Sequence, residues 1–455
     1  MSTLRLKQLL STIDMTEGTP WKKLLLFTLP LLVGNLFQQL FSTVDAVMLG
    51  NFVGDYALAA IGSVIPILFL IMVMMMGLSI GAGIMVSQYF GAKQRDELSY
   101  TVGNCITLTA IVGVIMMALG PLIARPLLIF LDTPAEIIND SAMYLNVMLW
   151  GILGIGYFNV LSGILRGVGD AFSPLLYLAF TSLLNIALNF LFVGLLGWGV
   201  AGAALGTVLS QAFTSILCLR RLSQMRDIFN MGIKYMRPKK SYVSRILKLG
   251  VPTGASQAMF ALAMIIVQPL ANDFGPTVLA ANIIVMKVDG FVMMPIFSYS
   301  NAMTVFSGQN MGAGKIDRIS KGTKECILLS LLTAFIMVLG ILLFGRQISL
   351  MFTQTEEVLN MSAHFLRVLA AGYLVFAVNM VLWGTIRGAG DAMTPMRASA
   401  LNTVFVRIPT AYLLVHIMGE PVALIYGLMI SWVTITILAG IAYRKGKWRT
   451  KGVVQ

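Results

Sequence analysis

The sequence predicts an all-α membrane protein with twelve transmembrane helices in two six-helix lobes. The chain is 58% apolar and 11% charged, whereas a soluble protein carries roughly 25% charged residues, so much of the surface is expected to face lipid. Twelve runs are apolar and long enough to cross a bilayer. A ten-residue motif returns after 221 residues, which indicates an internal repeat. Because each copy has six helices, both copies insert in the same orientation, and a pseudo-twofold axis along the membrane normal is expected to relate the lobes.

The apolar runs give the order of the helices along the chain. A spanning helix needs about 20 mostly apolar residues, and the runs lack the alternating pattern of a transmembrane β-barrel. Thr19 and Pro20 are typical of an N-cap and a first helical residue, so the first helix is expected to begin there. The runs cover 22–48, 57–89, 99–124, 141–165, 174–196, 199–222, 245–272, 276–308, 322–349, 362–386, 395–418 and 421–443.

Charge predicts how these helices are oriented. The net charge is +13, and the stretch between the sixth and seventh runs is dense in Lys and Arg. The loops on the other side carry acids such as Asp132 and Glu356. Because basic loops stay in the cytoplasm, both termini are predicted to be cytoplasmic. Nucleic acid is not an expected partner, since a basic patch that binds it needs a water-facing surface.

Five segments follow from the runs and the charges. Residues 1–19 form an N-terminal cytoplasmic segment, either a short amphipathic helix on the membrane or a disordered tail. The lobes are predicted to cover 20–222 and 245–443, with a cytoplasmic linker at 223–244 and a basic cytoplasmic tail at 444–455. Cys105, Cys218 and Cys326 lie in apolar runs without CxxC spacing, so no metal site is expected.

The repeat is clearest in two glycine-rich turns. The segment Arg-Gly-Val-Gly-Asp-Ala-Phe-Ser-Pro at 166–174 returns as Arg-Gly-Ala-Gly-Asp-Ala-Met-Thr-Pro at 387–395. A shared offset over half the chain is a stronger signal than a lone motif. Both turns are predicted to be structural and cytoplasmic. Arg166 paired with Asp170, and Arg387 paired with Asp391, are expected to brace the loops between helices four and five and between helices ten and eleven.

A polar stripe on the first run holds the best functional candidate. Asp45 is the only acid within the first six spans, and an acid inside the membrane is a functional candidate by default. The stripe also contains Asn35, Gln38, Gln39 and Ser42, on one face of a helix with 3.6 residues per turn. Such polar groups line a wet cavity or join helices by hydrogen bonds.

Further polar residues occur on other runs. Asn185 and Asn189 are four residues apart and therefore share a helix face. In the second half, Arg407 is placed to neutralise Asp289, and either a structural ion pair or a transport role fits these residues. The candidates for a substrate cavity are Gln38, Gln39, Ser42, Tyr157, Asn159, Lys287, Asp289, Tyr299 and Arg407.

Together these motifs resemble the multidrug and toxic compound extrusion (MATE) family over nearly the whole chain. The resemblance is carried by the two Arg-Gly-x-Gly-Asp turns, by Gln-Tyr-Phe-Gly-Ala-Lys at 88–93 and Gln-Asn-Met-Gly-Ala-Gly-Lys at 309–315, and by Pro30 and Asp45 in the first run. The single acid in the first helix resembles the DinF-like branch. The absence of acids from 245–270 and 368–386 argues against the NorM-like branch.

The resemblance implies a monomeric exporter in the plasma (inner) membrane of a prokaryote. Its substrates would be small organic compounds, cationic or amphipathic, and it would need no cofactor beyond a coupling ion. It also implies that Asp45, Asn185, Asn189 and Thr207 couple transport to that ion. H⁺ is favoured, with Na⁺ at the Asp45 cluster as the alternative.

Two other functions compete with cation-coupled antiport. A flippase for a lipid-linked intermediate would belong to the same superfamily, but it would need a strongly cationic cavity, and only Lys287 and Arg407 lie deep in helices. An intramembrane enzyme lacks any paired catalytic residues. The Gly-x-Ser-x-Gly pattern at 77–81 lies inside an apolar helix rather than in a strand-turn-helix.

Overall fold

The computed structural model describes residues 12–52 and 55–454, with side chains for 12–39 and 59–454. This described part contains helices, turns and irregular segments, and no strand, which confirms the all-α prediction. The first half holds α1 (Pro20–Phe52), α2 (Asp55–Gly91), α3 (Arg95–Phe130), α4 (Ile138–Trp150), α5 (Ile152–Gly167), α6 (Phe172–Asn189), α7 (Gly199–Gln224) and α8 (Ile233–Met236). The second half holds α9 (Lys240–Asp273), α10 (Pro276–Gly312), α11 (Ile316–Leu350), α12 (Glu356–Gly388), α13 (Met393–Asn402), α14 (Ile408–Met418) and α15 (Ala423–Lys445).

Most of these helices are suited to crossing a membrane. In the described part, ten helices are long and apolar enough to cross a membrane, when α6 and α13–α14 are counted with their π-helical segments. The bent pair α4–α5, counted as one span, makes eleven. The remaining predicted span is α1, which is 33 residues long. Helices also extend beyond the apolar runs: α11 begins at Ile316, and its 35 residues reach about 52 Å. The hydrocarbon is about 30 Å thick, so the extra turns stand outside it and carry charged residues such as Asp317 and Arg318.

Two helices show a π-helical segment. The helix α6 continues as a π-helix over Phe190–Leu195, and α13 is joined to α14 by a π-helix over Thr403–Arg407. Pro409 explains the second one, since it has no backbone N–H to offer to the carbonyl four residues earlier. Such π-turns within α-helices often mark functional sites.

The chain forms two compact units. The first comprises Pro30–Gly254 with residues 12–14, and the second comprises Met15–Leu29 and Ala255–Gln455. The predicted lobes 20–222 and 245–443 follow membrane spans rather than contacts, and their bounds stay a prediction. The start of α1 belongs to the second unit, and the start of α9 belongs to the first.

Within the first unit, a close helix crossing joins α2 to α5. The Ser79 hydroxyl donates to the Asn159 carbonyl over 2.6 Å, and the Arg166 guanidinium lies 3.4 Å from the same hydroxyl. Gly163 makes this approach possible, because a Cβ there would lie 2.5 Å from the Ser79 carbonyl oxygen. The crossing therefore depends on a glycine at residue 163.

The second unit repeats this crossing between α10 and α12. Ser300 donates to the Met380 carbonyl over 2.8 Å, and Arg387 donates to the Ser300 hydroxyl over 3.0 Å. Gly384 lies against Ser300, and a Cβ there would lie 2.5 Å from the Ser300 carbonyl oxygen. All four residues stand 221 positions after their counterparts, so the repeat seen in the sequence is also a repeat of contacts.

In the glycine-rich turn of the first unit, Asp170 has other partners than the predicted one. Asp170 accepts hydrogen bonds from the Ser173 backbone N–H over 2.9 Å and from the Ser173 hydroxyl over 2.7 Å, so it caps α6. Its ion-pair partner is Arg221 of α7, 2.9 Å away, whereas the described hydrogen bond of Arg166 goes to Ser79. The expectation that Arg166 braces Asp170 was therefore wrong. A buried arginine takes the partner that its helix crossing supplies, even when an acid lies close in sequence.

The matching turn of the second unit has the same cap, and Asp391 takes part in neither ion pair found among the described side chains. Asp391 accepts from the Thr394 backbone N–H over 3.0 Å and from its hydroxyl over 2.7 Å. Arg387 donates to Ser300 instead, so the second predicted brace was also wrong.

The N-terminal segment from Met15 to Gly18 lies against the second unit. Met15 is fully buried, and its backbone N–H donates to Gln309 over 2.8 Å. Arg318 donates to the carbonyls of three residues of the segment, at 3.1, 2.9 and 2.7 Å: Met15, Glu17 and Gly18. Residues 12–19 are irregular, and Met15–Gly18 are held by these hydrogen bonds. Residues 1–11 lie outside the described residues, so the choice between an amphipathic helix and a disordered tail stays a prediction.

The first unit holds the linker in a comparable way. The side chain of Asn104 on α3 accepts from the Lys239 backbone N–H over 2.7 Å and donates to the Tyr235 carbonyl over 3.3 Å. The Lys239 ammonium lies 3.4 Å from the centroid of the Tyr100 ring. In each unit, polar side chains of α3 or α11 therefore hold the stretch that precedes the first helix of the other copy.

Replacing Arg318 by Gln is expected to release the N-terminal segment. Three backbone carbonyls lose a charged donor, and a hydrogen bond to a charged group contributes roughly 1.5–3 kcal/mol. Trypsin should therefore cleave after Lys22 or Lys23 several times faster in detergent-solubilised protein. Lys321→Gln is the control, because Lys321 carries the same charge on the same helix and is exposed. Unchanged cleavage of Arg318→Gln would show that the segment is held by other contacts.

Candidate functional site

A buried polar cluster lies between α6 and α7 in the first unit. The Asn189 amide donates to the Asn185 side-chain oxygen over 2.9 Å. Asn185 in turn faces Thr207 and Ser210, with its amide nitrogen 3.2 and 3.3 Å from the two hydroxyls. Asn185 and Asn189 are 0% and 1% exposed. The structure therefore brings together three of the four residues predicted to couple an ion, and adds Ser210.

Local backbone structure positions this cluster. Asn185 and Asn189 share a face because they are one helical turn apart. Gly206 on α7 lets Asn189 approach, because a Cβ at this position would collide with the Asn189 side-chain oxygen. The π-helix starts directly after Asn189. The cluster offers amide and hydroxyl groups that both donate and accept, so it can bind a carboxylate or a carboxylic acid.

The residues predicted on α1 are only partly described. Gln38 is exposed, and Gln39 is half-buried. The side chains of Ser42 and Asp45 lie outside the described residues. Their roles, and that of the stripe as a cavity wall, stay predictions.

Tyr157 and Asn159 on α5 make hydrogen bonds to backbone groups. The Tyr157 hydroxyl donates to the Ile106 carbonyl over 3.2 Å, and the Asn159 amide donates to the Ile155 carbonyl over 2.9 Å. Both side chains are half-buried. These bonds fix the two side chains, and their place in a cavity stays a prediction.

The second unit holds a carboxylate bound by a tyrosine. The Tyr373 hydroxyl on α12 donates to Asp289 on α10. Arg407 lies 4.8 Å from the Phe260 ring centroid instead of beside Asp289. The two ion pairs found among the described side chains are Asp170–Arg221 and Arg346–Glu356. Neutralisation of Asp289 by Arg407 is therefore not observed.

The other residues predicted to line a cavity in this unit make no described hydrogen bond to Asp289 or Tyr373. Lys287 is exposed. Tyr299 is 5% exposed, and its hydroxyl lies 3.1 Å from the Thr333 hydroxyl. The structure thus places Tyr299 in the packed interior of the second unit.

Sequence reasoning missed the aromatic residues around Asp289. Tyr373 is fully buried, and its ring centroid lies 5.8 Å from that of Trp432, which in turn lies 4.9 Å from Phe376. The only sequence signal for Tyr373 is its position in the repeat, where the first copy has Ile152. Within the described part of the chain, no group of three His, Cys, Asp or Glu residues is placed to hold a metal ion.

Comparison with known proteins agrees with the doubled architecture. The MatE family model matches twice, over residues 30–191 and 252–413, which together exceed half of the chain. The probable multidrug resistance protein YoeA of Bacillus subtilis (strain 168) is 28% identical over 90% of this chain and 89% of its own length. The probable multidrug resistance protein NorM of Thermotoga maritima is 27% identical over 95% of this chain and 94% of its own length.

A solved structure shares the fold. A MOP superfamily transporter from Pyrococcus furiosus superimposes with a TM-score of 0.89 and 24% identity, covering 96% of this chain and 98% of its own. The relatives are transporters and not enzymes, and the doubled match confirms the predicted repeat. The assignment to the DinF-like branch stays a prediction. With the family model matched in both of its halves, the chain belongs to the MatE family of multidrug efflux transporters.

Proposed function

We propose that the protein exports small cationic or amphipathic organic compounds by antiport with an inward-moving cation, with H⁺ favoured over Na⁺. It works by alternating access between its two lobes, as a monomer in the plasma (inner) membrane of a prokaryote, with both termini in the cytoplasm. No cofactor is needed beyond the coupling ion. The observation that carries the proposal is the family match in both halves, combined with a buried cluster of side chains that both donate and accept hydrogen bonds.

Coupling is assigned to Asp45 acting with Asn185, Asn189 and Thr207. Loading a proton onto Asp45 turns a pure acceptor into a donor, so its amide partners must change their hydrogen bonds. The changed bonds favour one shape of α1 over another and so drive release of the substrate. An inward-moving charge supplies about 2.3 kcal/mol per 100 mV of membrane potential. Na⁺ remains the alternative ion, because carboxylate, amide and hydroxyl oxygens are also its ligands.

The flippase alternative has less support. A phosphate-bearing lipid calls for several cations directed into one cavity. In the second unit, Lys287 is exposed and Arg407 stacks on Phe260. A cationic surface of that kind is thus not found around these two residues.

Efflux from proteoliposomes tests the proposal. Vesicles loaded with ethidium and containing the purified full-length protein should release it several times faster when an inward pH gradient is imposed. A sodium gradient of equal size, imposed alone, should give little acceleration. A protonophore provides the control, since it should remove the effect of the pH gradient. Equal efflux with and without either gradient would contradict antiport.

A further inference from the structure

The second unit holds an acid that no cation is seen to neutralise. Asp289 lies in the middle of α10 and accepts a hydrogen bond from the Tyr373 hydroxyl. Lys287 is two residues away on the same helix and exposed, so it points in another direction. Arg407 stacks on Phe260, and neither ion pair found among the described side chains involves Asp289. An acid within a membrane span costs about 2.5–3.5 kcal/mol on insertion scales, so its presence there calls for a function.

The repeat shows that the fold itself does not require this pair. The positions 221 residues earlier are Leu68 and Ile152. Ile152 is 2% exposed within the apolar core of the first unit, and Leu68 packs against the same core. The first copy therefore folds with two apolar side chains where the second has Asp289 and Tyr373. Polar residues that one copy has gained at equivalent positions are better explained by function than by a shared packing role.

The surroundings of Asp289 combine partial exposure with aromatic rings. Asp289 is partly exposed, and it borders the exposed face of α10 that carries Lys287 and Gly290. On the buried side, Tyr373 packs against Trp432, whose Nε1 has no hydrogen-bond partner among the described residues. Both rings are buried, at 0% and 3% exposure, so they surround the carboxylate with apolar groups rather than contacting a ligand. A carboxylate in such surroundings attracts an organic cation more strongly than one in water does.

We propose that Asp289 determines specificity in the second unit by selecting positively charged substrates over neutral ones of the same shape. Tyr373 is a positioning residue, since it is fully buried and its hydroxyl fixes the carboxylate. The proposal rests on the proposed export of organic compounds and identifies the side chain that recognises their charge.

Binding of a matched pair of ligands to the full-length protein in detergent tests this role without any ion gradient. The pair is methyltriphenylphosphonium, a cation, and triphenylphosphine oxide, a neutral compound with the same three rings. Asp289→Asn should weaken cation binding about tenfold and leave the neutral ligand within twofold. Tyr373→Phe should weaken cation binding about threefold, and Asp289→Glu should restore part of the preference. The control is Asp273→Asn, which removes an exposed acid from the same unit and should change neither affinity.

The outcomes separate this proposal from the coupling mechanism. An unchanged cation affinity in Asp289→Asn overturns the proposal, as does an equal loss for both ligands, which indicates a structural role. A change confined to the pH dependence of transport also overturns it, since Asp289 would then carry a proton instead of recognising substrate. Failure of Asp45 to couple transport leaves the ratio of the two affinities untouched, so the two ideas fail independently.

Discussion

Replacing Asp45 by Asn is expected to abolish gradient-driven export while leaving substrate binding intact. The amide keeps the size and polarity of the side chain but cannot exchange a proton. The partners proposed for it, Asn185 and Asn189, are buried and already joined by a 2.9 Å hydrogen bond. Ethidium efflux from proteoliposomes under a pH gradient should fall to the rate of protein-free vesicles. Equilibrium binding of ethidium in detergent should stay within twofold of the wild-type value.

Asp132→Asn is the matched control for this experiment. It removes an acid from an exposed loop of the same unit, and Asn tolerates the positive φ of 53° found at that residue. This variant should export normally. Normal export by Asp45→Asn under the same gradient would place the coupling site elsewhere.

Replacing Asp170 by Ala is expected to destabilise the first unit strongly. The carboxylate is fully buried, caps α6 and pairs with Arg221 at 2.9 Å. The variant loses the cap, which costs about 1 kcal/mol. It also loses the carboxylate that pairs with Arg221, whose side chain is 19% exposed, and a hydrogen bond to a charged group contributes roughly 1.5–3 kcal/mol. The yield of folded protein and its thermal stability in detergent should fall well below those of the wild type.

Asp391→Ala provides the comparison, because it removes the same cap from the second copy. Ala442 stands there at the position that corresponds to Arg221, so a cap is lost without breaking an equivalent ion pair. Loss of a cap alone costs about 1 kcal/mol. Equal destabilisation by the two variants would contradict the role given to Arg221. A normal yield with an altered substrate profile would contradict the structural role of the turns.

The apolar runs predicted where the chain crosses the membrane better than where each helix begins and ends. Hydrophobicity reports the thickness of the hydrocarbon, whereas backbone hydrogen bonding continues into charged turns such as those at the start of α11. The run 141–165 was predicted as one helix, but the structure bends by 51° between α4 and α5. Gly151 lies at this break against the side chain of Val208, which is a tertiary contact that local sequence does not encode.

The candidate site was predictable where it depended on spacing within one helix. Asn185 and Asn189 were found in this way. The partner of Asp289 was not found, because Tyr373 lies 84 residues away on another helix. Arg407 was expected beside Asp289, yet it ends a π-helical turn. A π-turn takes up more residues than an α-turn, so the direction of Arg407 does not follow from a period of 3.6 residues.

The N-terminal segment can dock only late in synthesis, because its partner is made long after it. Gly18 receives its hydrogen bond from Arg318, which is 300 residues later in the chain. At roughly 5–20 residues per second, the ribosome reaches Arg318 about 15–60 s after it has made Gly18. During that interval the segment has no native partner in the second unit. The first turns of the nascent α1 therefore lack their native contacts. A chain stopped after residue 254 would therefore contain the whole of the first compact unit and still leave the beginning of its own first helix without its native contacts.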